Sequence, residues 1–268
     1  MIREPAVAGR FYPGDAGELA RQVDNFVAQA AREKTPARGC VVPHAGYMYS
    51  GHVAGAVYGS LTLPRRVILL GPRHYPQGEP LAILSEGAWR TPLGDAALDH
   101  TMAEALKRAC PHLREDEVAH RAEHSLEVQI PFLQRLAGSF TFVPIVIGPV
   151  RFPALVDLGR AVAEVAAAQP EPVLLIASSD MNHYESDAVT RVKDRKAIDR
   201  ILALDPQGLY DTVRREEISM CGYCPTVALL VAARELGAER AELLRYATSG
   251  DVSGDRDEVV GYAGILIQ

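Results

Sequence analysis

The sequence has no long hydrophobic run and no cluster of basic residues. Its longest apolar stretches, such as residues 67–70 and 173–177, are far too short to cross a lipid bilayer. No run of lysine and arginine exceeds two residues and the formal net charge is −6, so the basic surface of a nucleic-acid-binding protein is missing. We therefore expect neither a membrane nor a nucleic acid among the partners of this protein.

Cysteine is scarce as well. Four cysteines in 268 residues cannot form the disulfide scaffold of a small secreted domain. The first ten residues contain no long apolar segment followed by a cleavage site for export. These two features predict a reducing, cytoplasmic location.

The composition is that of an ordinary globular protein, with 48% hydrophobic and 23% charged residues. A chain of this length buries roughly three quarters of its unfolded surface, so it needs neither a disulfide nor a metal to fold. No linker, low-complexity segment or internal repeat interrupts the sequence. We predict one domain over residues 1–268.

Short runs of Val, Ile and Leu without strict alternation are typical of strands that are buried on both faces. They alternate here with helical patterns, which predicts an α/β fold: a central, mostly buried β-sheet flanked by helices. The predicted strands are residues 39–43, 66–71, 140–147, 172–178, 241–247 and 259–267. The predicted helices are residues 16–32, 52–61, 95–110, 125–136, 153–168, 188–204 and 226–236.

Three predicted strands run directly into metal-ligand or acid–base residues. His44 follows the first strand, His74 follows the second, and Asp180 and His183 follow the strand at 172–178. In open α/β sheets, ligands bind outside the carboxyl ends of the strands, so these side chains can converge on one point. Each histidine alone could equally be an ordinary loop residue bonded to a backbone group. Together, they favour a metal or acid–base site.

Cys221 and Cys224 form a C-x-x-C motif just before the helix predicted at 226–236. A helix N-terminus lowers the pKa of a thiol, so the motif is compatible with dithiol redox chemistry. The sequence has no second C-x-x-C that would complete a zinc ribbon. A metal-ligand role for one cysteine and a structural role for buried thiols remain open.

Residues 120–124 match the H-x-x-E-H pattern of inverted zincins, in which Glu123 would be the base of a zinc peptidase. Both histidines would then lie on one face of a helix. Ser125 is a plausible N-cap for the helix predicted at 125–136, which leaves His120 outside that helix and disfavours the zincin geometry. His124 stays a site candidate by itself.

Motifs spread over nearly the whole chain resemble those of one family. They include P-H-A-G-Y at 43–47, L-G-P-R-H at 70–74 and S-S-D-M-N-H at 178–183. Further segments of the resemblance are residues 3–13, 89–94, 123–132, 221–222, 246–251 and 262–264. In this order, they resemble the Memo family, also labelled the B component of the AmmeMemoRadiSam system.

The resemblance implies a fold similar to that of LigB-type, class III extradiol dioxygenases, which hold non-haem iron(II) with two histidines and a carboxylate and cleave catechol rings with dioxygen. It implies His44, His74 and Cys221 as the metal triad. Asp180, His183 and His124 would line the same cleft.

We expect His183, held by Asp180, to be the acid–base group, because a histidine of near-neutral pKa can take and return a proton. His124 would orient or protonate a bound oxygen species. Tyr47 and Arg73 could shape the cleft and hold an anionic substrate.

A thiolate in place of the carboxylate shifts the preference towards softer ions such as copper(I) or zinc, while iron stays possible. We expect a divalent or redox metal ion, iron or copper ahead of zinc. The expected function is a metal-dependent oxidoreductase related to extradiol dioxygenases, acting on a small molecule. The alternative is a non-catalytic metal-binding or scaffold protein that uses the same cleft.

The resemblance also implies a radical-SAM protein and an AMMECR-type protein as partners. It gives no role for Cys224, which could supply a second sulfur or form a disulfide with Cys221.

Overall fold

A computed structural model describes residues 1–30 and 32–268 of the chain. Its strands are β1 (Ile2–Arg3), β2 (Gly39–Val42), β3 (Arg66–Pro72), β4 (Leu81–Ile83), β5 (Ala88–Thr91), β6 (Gly94–Leu98), β7 (Arg114–Glu115), β8 (Thr141–Ile147), β9 (Val173–Ser178), β10 (His183–Glu185), β11 (Ala241–Thr248) and β12 (Val259–Ile267). Its helices are α1 (Ala16–Ala28), α2 (Tyr47–Gly59), α3 (His100–Ala109), α4 (Val118–Arg121), α5 (Ile130–Leu136), α6 (Phe152–Ala167), α7 (Asp187–Leu202), α8 (Pro206–Arg215), α9 (Tyr223–Glu235) and α10 (Gly250–Ser253).

All the strands belong to one mixed sheet, in which the main path runs β1-β5-β6-β8-β3-β9-β2-β12-β10. The four strands β8, β3, β9 and β2 are parallel neighbours at its centre. Strand β12 pairs antiparallel with β2, and β10 and β11 pair antiparallel with β12. The carboxyl ends of β2, β3 and β9 therefore lie side by side along one edge of the sheet.

Helices cover both faces of this sheet. On β9, Leu175 and Ala177 face a core that includes residues of α3, α6, α7, α8 and α9. Leu174 and Ile176 face the opposite core, with residues of α1, α2 and α5. Since side chains alternate along a strand, this pattern is what a doubly covered sheet requires, and the α/β prediction is confirmed. None of the helices in the described residues is both long and apolar enough to span a membrane.

Some predicted helices have different boundaries. The prediction for 95–110 is wrong at its start, because residues 94–98 form β6 and Asp99 caps α3 by accepting a hydrogen bond from Met102 N. The helix predicted at 16–32 ends at Ala28, and Ala31 lies outside the described residues. The helix predicted at 52–61 already begins at Tyr47.

The segment from residue 118 to 129 has no long helix. It consists of the short α4, a loop and a single 3-10 turn at Glu127–Gln129 before α5 begins. Ser125 does not cap the following helix, because its hydroxyl donates to Pro72 O and its backbone N–H donates to Glu123 Oε1. The prediction of one helix over 125–136 is therefore wrong in its first half.

Candidate metal centre

His44 lies two residues after β2 and is almost fully buried, with 1% of its surface exposed. Its Nδ1 is 2.9 Å from the Ser178 hydroxyl oxygen. That hydroxyl donates its own proton to Ser125 O over 2.6 Å, so it can only accept from the imidazole. The proton of neutral His44 therefore sits on Nδ1, and the lone pair on Nε2 is available to a ligand.

His74 lies two residues after β3, where Glu123 holds it twice. The carboxylate accepts from His74 N at 2.6 Å and is 2.8 Å from His74 Nδ1. Burial acts to raise the pKa of Glu123, but the hydrogen bond and charge of His74 outweigh it and lower that pKa to about 2. An ionised carboxylate accepts only, so Nδ1 of His74 carries a proton, and Nε2 is the nitrogen at which a metal would replace a proton.

Cys221 brings a sulfur to the same place. Its Sγ is 3.2 Å from His44 Nε2. Burial, together with the charge of Asp180, raises the pKa of Cys221 well above its usual value. Burial likewise lowers the pKa of His44 well below its usual value, so a neutral imidazole and a protonated thiol face each other. A cation at this point would favour loss of the thiol proton, since metals bind the thiolate.

One ligand atom from each of His44, His74 and Cys221 lies within 4.8 Å of the others. Two imidazole nitrogens and a thiolate form a donor set for a transition metal, and three protein ligands leave a coordination position open. A second group, formed by His74, Glu123 and His124, satisfies the same distance limit. It fits less well, because the Glu123 carboxylate already accepts hydrogen bonds from His74 N, His74 Nδ1 and Ser125 N.

His124 lies against this group of donors. Its ring stacks on that of His74 with centroids 4.6 Å apart and is 5.6 Å from that of His44. Burial and the neighbouring His44 lower the pKa of His124 to about 4. The side chain is therefore neutral at pH 7 and offers one N–H donor and one acceptor.

Asp180 and His183 are both near the site, but the hydrogen bond expected between them is not formed. The Asp180 carboxylate accepts from the backbone N–H groups of His44 and Ala45, at 2.8 and 3.3 Å. His183 Nδ1 is instead 2.9 Å from Ser219 O. Asp180 thus shapes the His44 loop. The prediction that it holds His183 is wrong, because His183 is bonded to Ser219 instead. Burial raises the pKa of Asp180 and lowers that of His44, and the charge of His183 acts to lower both.

Two other sequence hypotheses fail on geometry. His120 lies in α4 with its Nδ1 2.8 Å from Asp116 O, whereas His124 lies beyond the end of that helix. The two histidines do not share a helix face, so the zincin arrangement is wrong. Cys221 and Cys224 are both free, which excludes a disulfide between them in this structure.

Tyr47 and Arg73 make backbone contacts. The buried Tyr47 hydroxyl donates to Val128 O at 2.6 Å, and the Arg73 guanidinium donates to Gly78 O.

Sequence reasoning missed Glu123 as the residue that orients His74, because its motif suggested a peptidase base. Ser219 gave no signal in the sequence at all.

The fold and this site define a class: an α/β protein in which the ends of parallel strands bring together a group of potential metal ligands. A family model described as Memo-like protein matches residues 3–266. The chain belongs to the Memo family.

Curated relatives agree with this assignment. A MEMO1 family protein of Methanopyrus kandleri is 44% identical over 281 aligned residues, covering 100% of this chain and 99% of the relative. A MEMO1 family protein of Pyrobaculum arsenaticum is 43% identical over 276 residues, covering 99% and 98%. The crystal structure of an uncharacterized protein from Escherichia coli K12 shares the fold with a TM-score of 0.52 at 11% identity, covering 85% of this chain and 98% of that one.

Proposed function

We propose that the protein binds one metal ion with His44, His74 and Cys221 and uses it in the oxidation of a small molecule. The observation that carries the proposal is the orientation of the two imidazoles. Nδ1 of each ring is hydrogen-bonded to an acceptor, which is Ser178 Oγ for His44 and the Glu123 carboxylate for His74. Such partners are characteristic of histidines that bind metals, since they set the tautomer and the ring plane.

The donor set supports iron or copper, with zinc as the third choice. A thiolate favours softer ions, and imidazole suits all three metals. When bound, the metal would supply the electron-transfer chemistry. The resemblance to extradiol dioxygenases points to catechols and quinols as the substrate class and to dioxygen as the oxidant.

The chain's own residues would bind and deprotonate such a substrate. His183, half-buried beside the cleft, is the acid–base group of the proposal, because an imidazole can take a hydroxyl proton and return it near neutral pH. His124, neutral at pH 7, would donate a hydrogen bond to a substrate oxygen. Asp180 would keep the His44 loop in place through its two backbone hydrogen bonds.

The first test is elemental analysis of protein purified without oxygen or chelator. We expect near-stoichiometric iron or copper in the native protein and its loss in His44→Ala. The matched control is His112→Ala, which removes an exposed histidine 3.8 Å from Asp157. Zinc would indicate hydrolytic or structural use of the site. No metal after reconstitution would contradict the metal triad.

The second test separates an enzyme from a metal-binding protein. Catechols and quinols are screened for metal-dependent oxygen uptake that saturates with substrate. His183→Ala should retain the metal and lose about 10²–10⁴-fold in turnover, the usual contribution of a general acid–base group. Full turnover in this variant would remove His183 from the mechanism. A metal-loaded native protein without uptake on any substrate would favour the non-catalytic alternative.

Location and partners are part of the same proposal. The four cysteines are free thiols, which supports a reducing, cytoplasmic compartment. The family resemblance supports a radical-SAM protein and an AMMECR-type protein as partners. Co-purification of either protein with a tagged chain from its own host would test the association.

A further inference from the structure

His183 is held at two points by one residue, Ser219. His183 N donates to Ser219 Oγ at 2.7 Å, and His183 Nδ1 is 2.9 Å from the Ser219 carbonyl oxygen. A carbonyl oxygen has no proton to give, so the proton of this hydrogen bond must come from Nδ1. The other ring nitrogen, Nε2, makes no hydrogen bond within the described part of the chain.

Ser219 is itself held by the fully buried Asn182. Ser219 N and Ser219 Oγ both donate to Asn182 Oδ1, at 3.1 and 3.0 Å. Asn182 Nδ2 donates on the other side to Glu185 Oε2 at 2.7 Å and to Thr190 Oγ1 at 3.2 Å. Donors face its oxygen and acceptors face its nitrogen, so the amide has only one satisfactory orientation.

We call Asn182 and Ser219 together the 182–219 clamp. The backbone of Asn182 is fixed as well, because its N–H donates to Asp194 Oδ1 at 2.8 Å and its carbonyl accepts from Gly261 N at 2.9 Å. The clamp therefore connects the His183 loop to the core of the sheet.

We propose that the 182–219 clamp consists of positioning residues that keep neutral His183 protonated on Nδ1, so that Nε2 is the one atom that exchanges a proton with the substrate. In that exchange, Nε2 takes the proton of a substrate hydroxyl, the ring becomes an imidazolium, and the substrate keeps the electron pair as an oxyanion. The same nitrogen later returns the proton. The exchange with substrate rests on the proposed function, whereas the tautomer does not.

The test is ¹⁵N NMR of the imidazole nitrogens in histidine-labelled protein at alkaline pH, with the His183 signals identified by their loss in His183→Gln. We expect the native ring to be protonated on Nδ1. Ser219→Ala removes the hydroxyl that joins His183 N to Asn182. The carbonyl that accepts from Nδ1 stays but is held less firmly, so the ratio of the two tautomers should shift towards Nε2–H, by at most about fivefold, the effect of roughly one neutral hydrogen bond.

Two variants make the comparison specific. Ser219→Thr keeps the hydroxyl, and the exposed position has room for the added methyl group, so this variant should show the native tautomer ratio. Ser253→Ala, which removes an exposed hydroxyl that accepts from Asp255 N, should leave it unchanged. A native ring protonated on Nε2, or a Ser219→Ala ratio equal to the native one, would overturn the proposal.

The metal content of the same samples separates this proposal from the previous one. Ser219→Ala should hold as much metal as the native protein, since its hydroxyl contacts none of the three ligands in the described residues. A native protein without metal but with an Nδ1–H tautomer would contradict the metal centre and leave the clamp intact. A metal-loaded protein with the Nε2–H tautomer would contradict the clamp and leave the metal centre intact.

Discussion

At the scale of the residue, three imidazoles of the site share one feature: Nδ1 of each ring is hydrogen-bonded to an acceptor. The acceptors differ: a hydroxyl for His44, a carboxylate for His74 and a backbone carbonyl for His183. A carboxylate makes the stronger bond and donates more electron density to the ring. His74 should therefore be the more basic of the two histidine ligands.

Replacing Glu123 by Gln tests this difference. The amide keeps the shape but loses the charge, and in either orientation its NH₂ group faces an N–H donor, His74 N or His74 Nδ1, from which it cannot accept. We expect metal affinity to fall about 10–100-fold, the usual effect of removing such a partner. Isothermal titration with Zn²⁺ measures the change. Glu117→Gln, at an exposed position just before α4, is the control, and an unchanged affinity in Glu123→Gln would rule out the orienting role.

A second residue outside the metal ligands, Asp194, should make the stability of the fold depend on pH. Burial raises its pKa to about 7 against the hydrogen bonds from Tyr246 Oη and Asn182 N. The folded state then binds the proton more tightly than the unfolded chain. The stabilisation is complete below about pH 4 and is lost as the pH rises through 7, by an amount on the order of 4 kcal/mol.

Asp194→Asn should remove this part of the pH dependence. Urea unfolding at pH 5 and pH 8 gives the free energy of unfolding of native and variant proteins. The decrease between the two pH values should be smaller in Asp194→Asn, while Asp257→Asn, at an exposed position, keeps the native decrease. Equal decreases in all three proteins would show that Asp194 is ionised in the folded state throughout.

At the scale of the element, the irregular segment 118–129 depends on the N-terminal strand. Arg3 donates to His120 O at 2.8 Å, to Glu123 O at 2.7 Å and to Glu127 Oε2 at 2.6 Å. The guanidinium also lies 4.1 Å from the ring centroid of Trp89. A segment without a long helix has few backbone hydrogen bonds of its own, so this one side chain joins two of its carbonyl groups and the Glu127 carboxylate to the N-terminal strand.

Arg3→Met should destabilise the protein by about 3–5 kcal/mol, because it leaves the Glu127 carboxylate buried without its cation. The two side chains are only 7% and 1% exposed. Chemical denaturation measures the loss. Arg32→Met, which breaks the exposed pair with Glu242, is the control and should unfold at nearly the native denaturant concentration. Equal midpoints for the two variants would contradict the argument.

The central strands could be predicted from the sequence and the segment 118–129 could not. Strands β3, β8 and β9 are continuous apolar runs, and their observed bounds agree with the predicted ones within one residue. Because parallel strands end at the same edge, the convergence of His44, His74 and the 180–183 loop followed from the same pattern. The position of Glu123 depends on Arg3, 120 residues away, and no local pattern encodes such a contact. The catalytic roles of His183 and His124 stay predictions.

At the scale of the whole molecule, the site is assembled from remote parts of the chain. The Cys221–His44 contact joins residues 177 positions apart. Between them in the sequence lie β3, β8 and β9, which form the parallel centre of the sheet together with β2, and this centre must form before the ligands can meet. Metal binding should therefore stabilise the whole folded chain and not only one local loop.

Metal should raise the melting temperature accordingly. A ligand at about 100 times its Kd stabilises the native state by about 2.7 kcal/mol, or about 5–10 °C for a chain of this size. Differential scanning calorimetry with and without metal measures the shift. His112→Ala should show it in full and His44→Ala should not. A shift that persists in His44→Ala would place the binding elsewhere.

The distance along the chain between His44 and Cys221 also matters for the cell. A nascent or partly degraded chain can carry one of these ligands but not the completed pair. Isolated histidines and thiols bind a metal ion more weakly than a completed site, so an unfinished chain would acquire little of it. With the iron or copper of the proposed function, reactive oxygen would then arise only where a finished sheet encloses the ion, which would spare the exposed thiols and methionines of incomplete chains from oxidation.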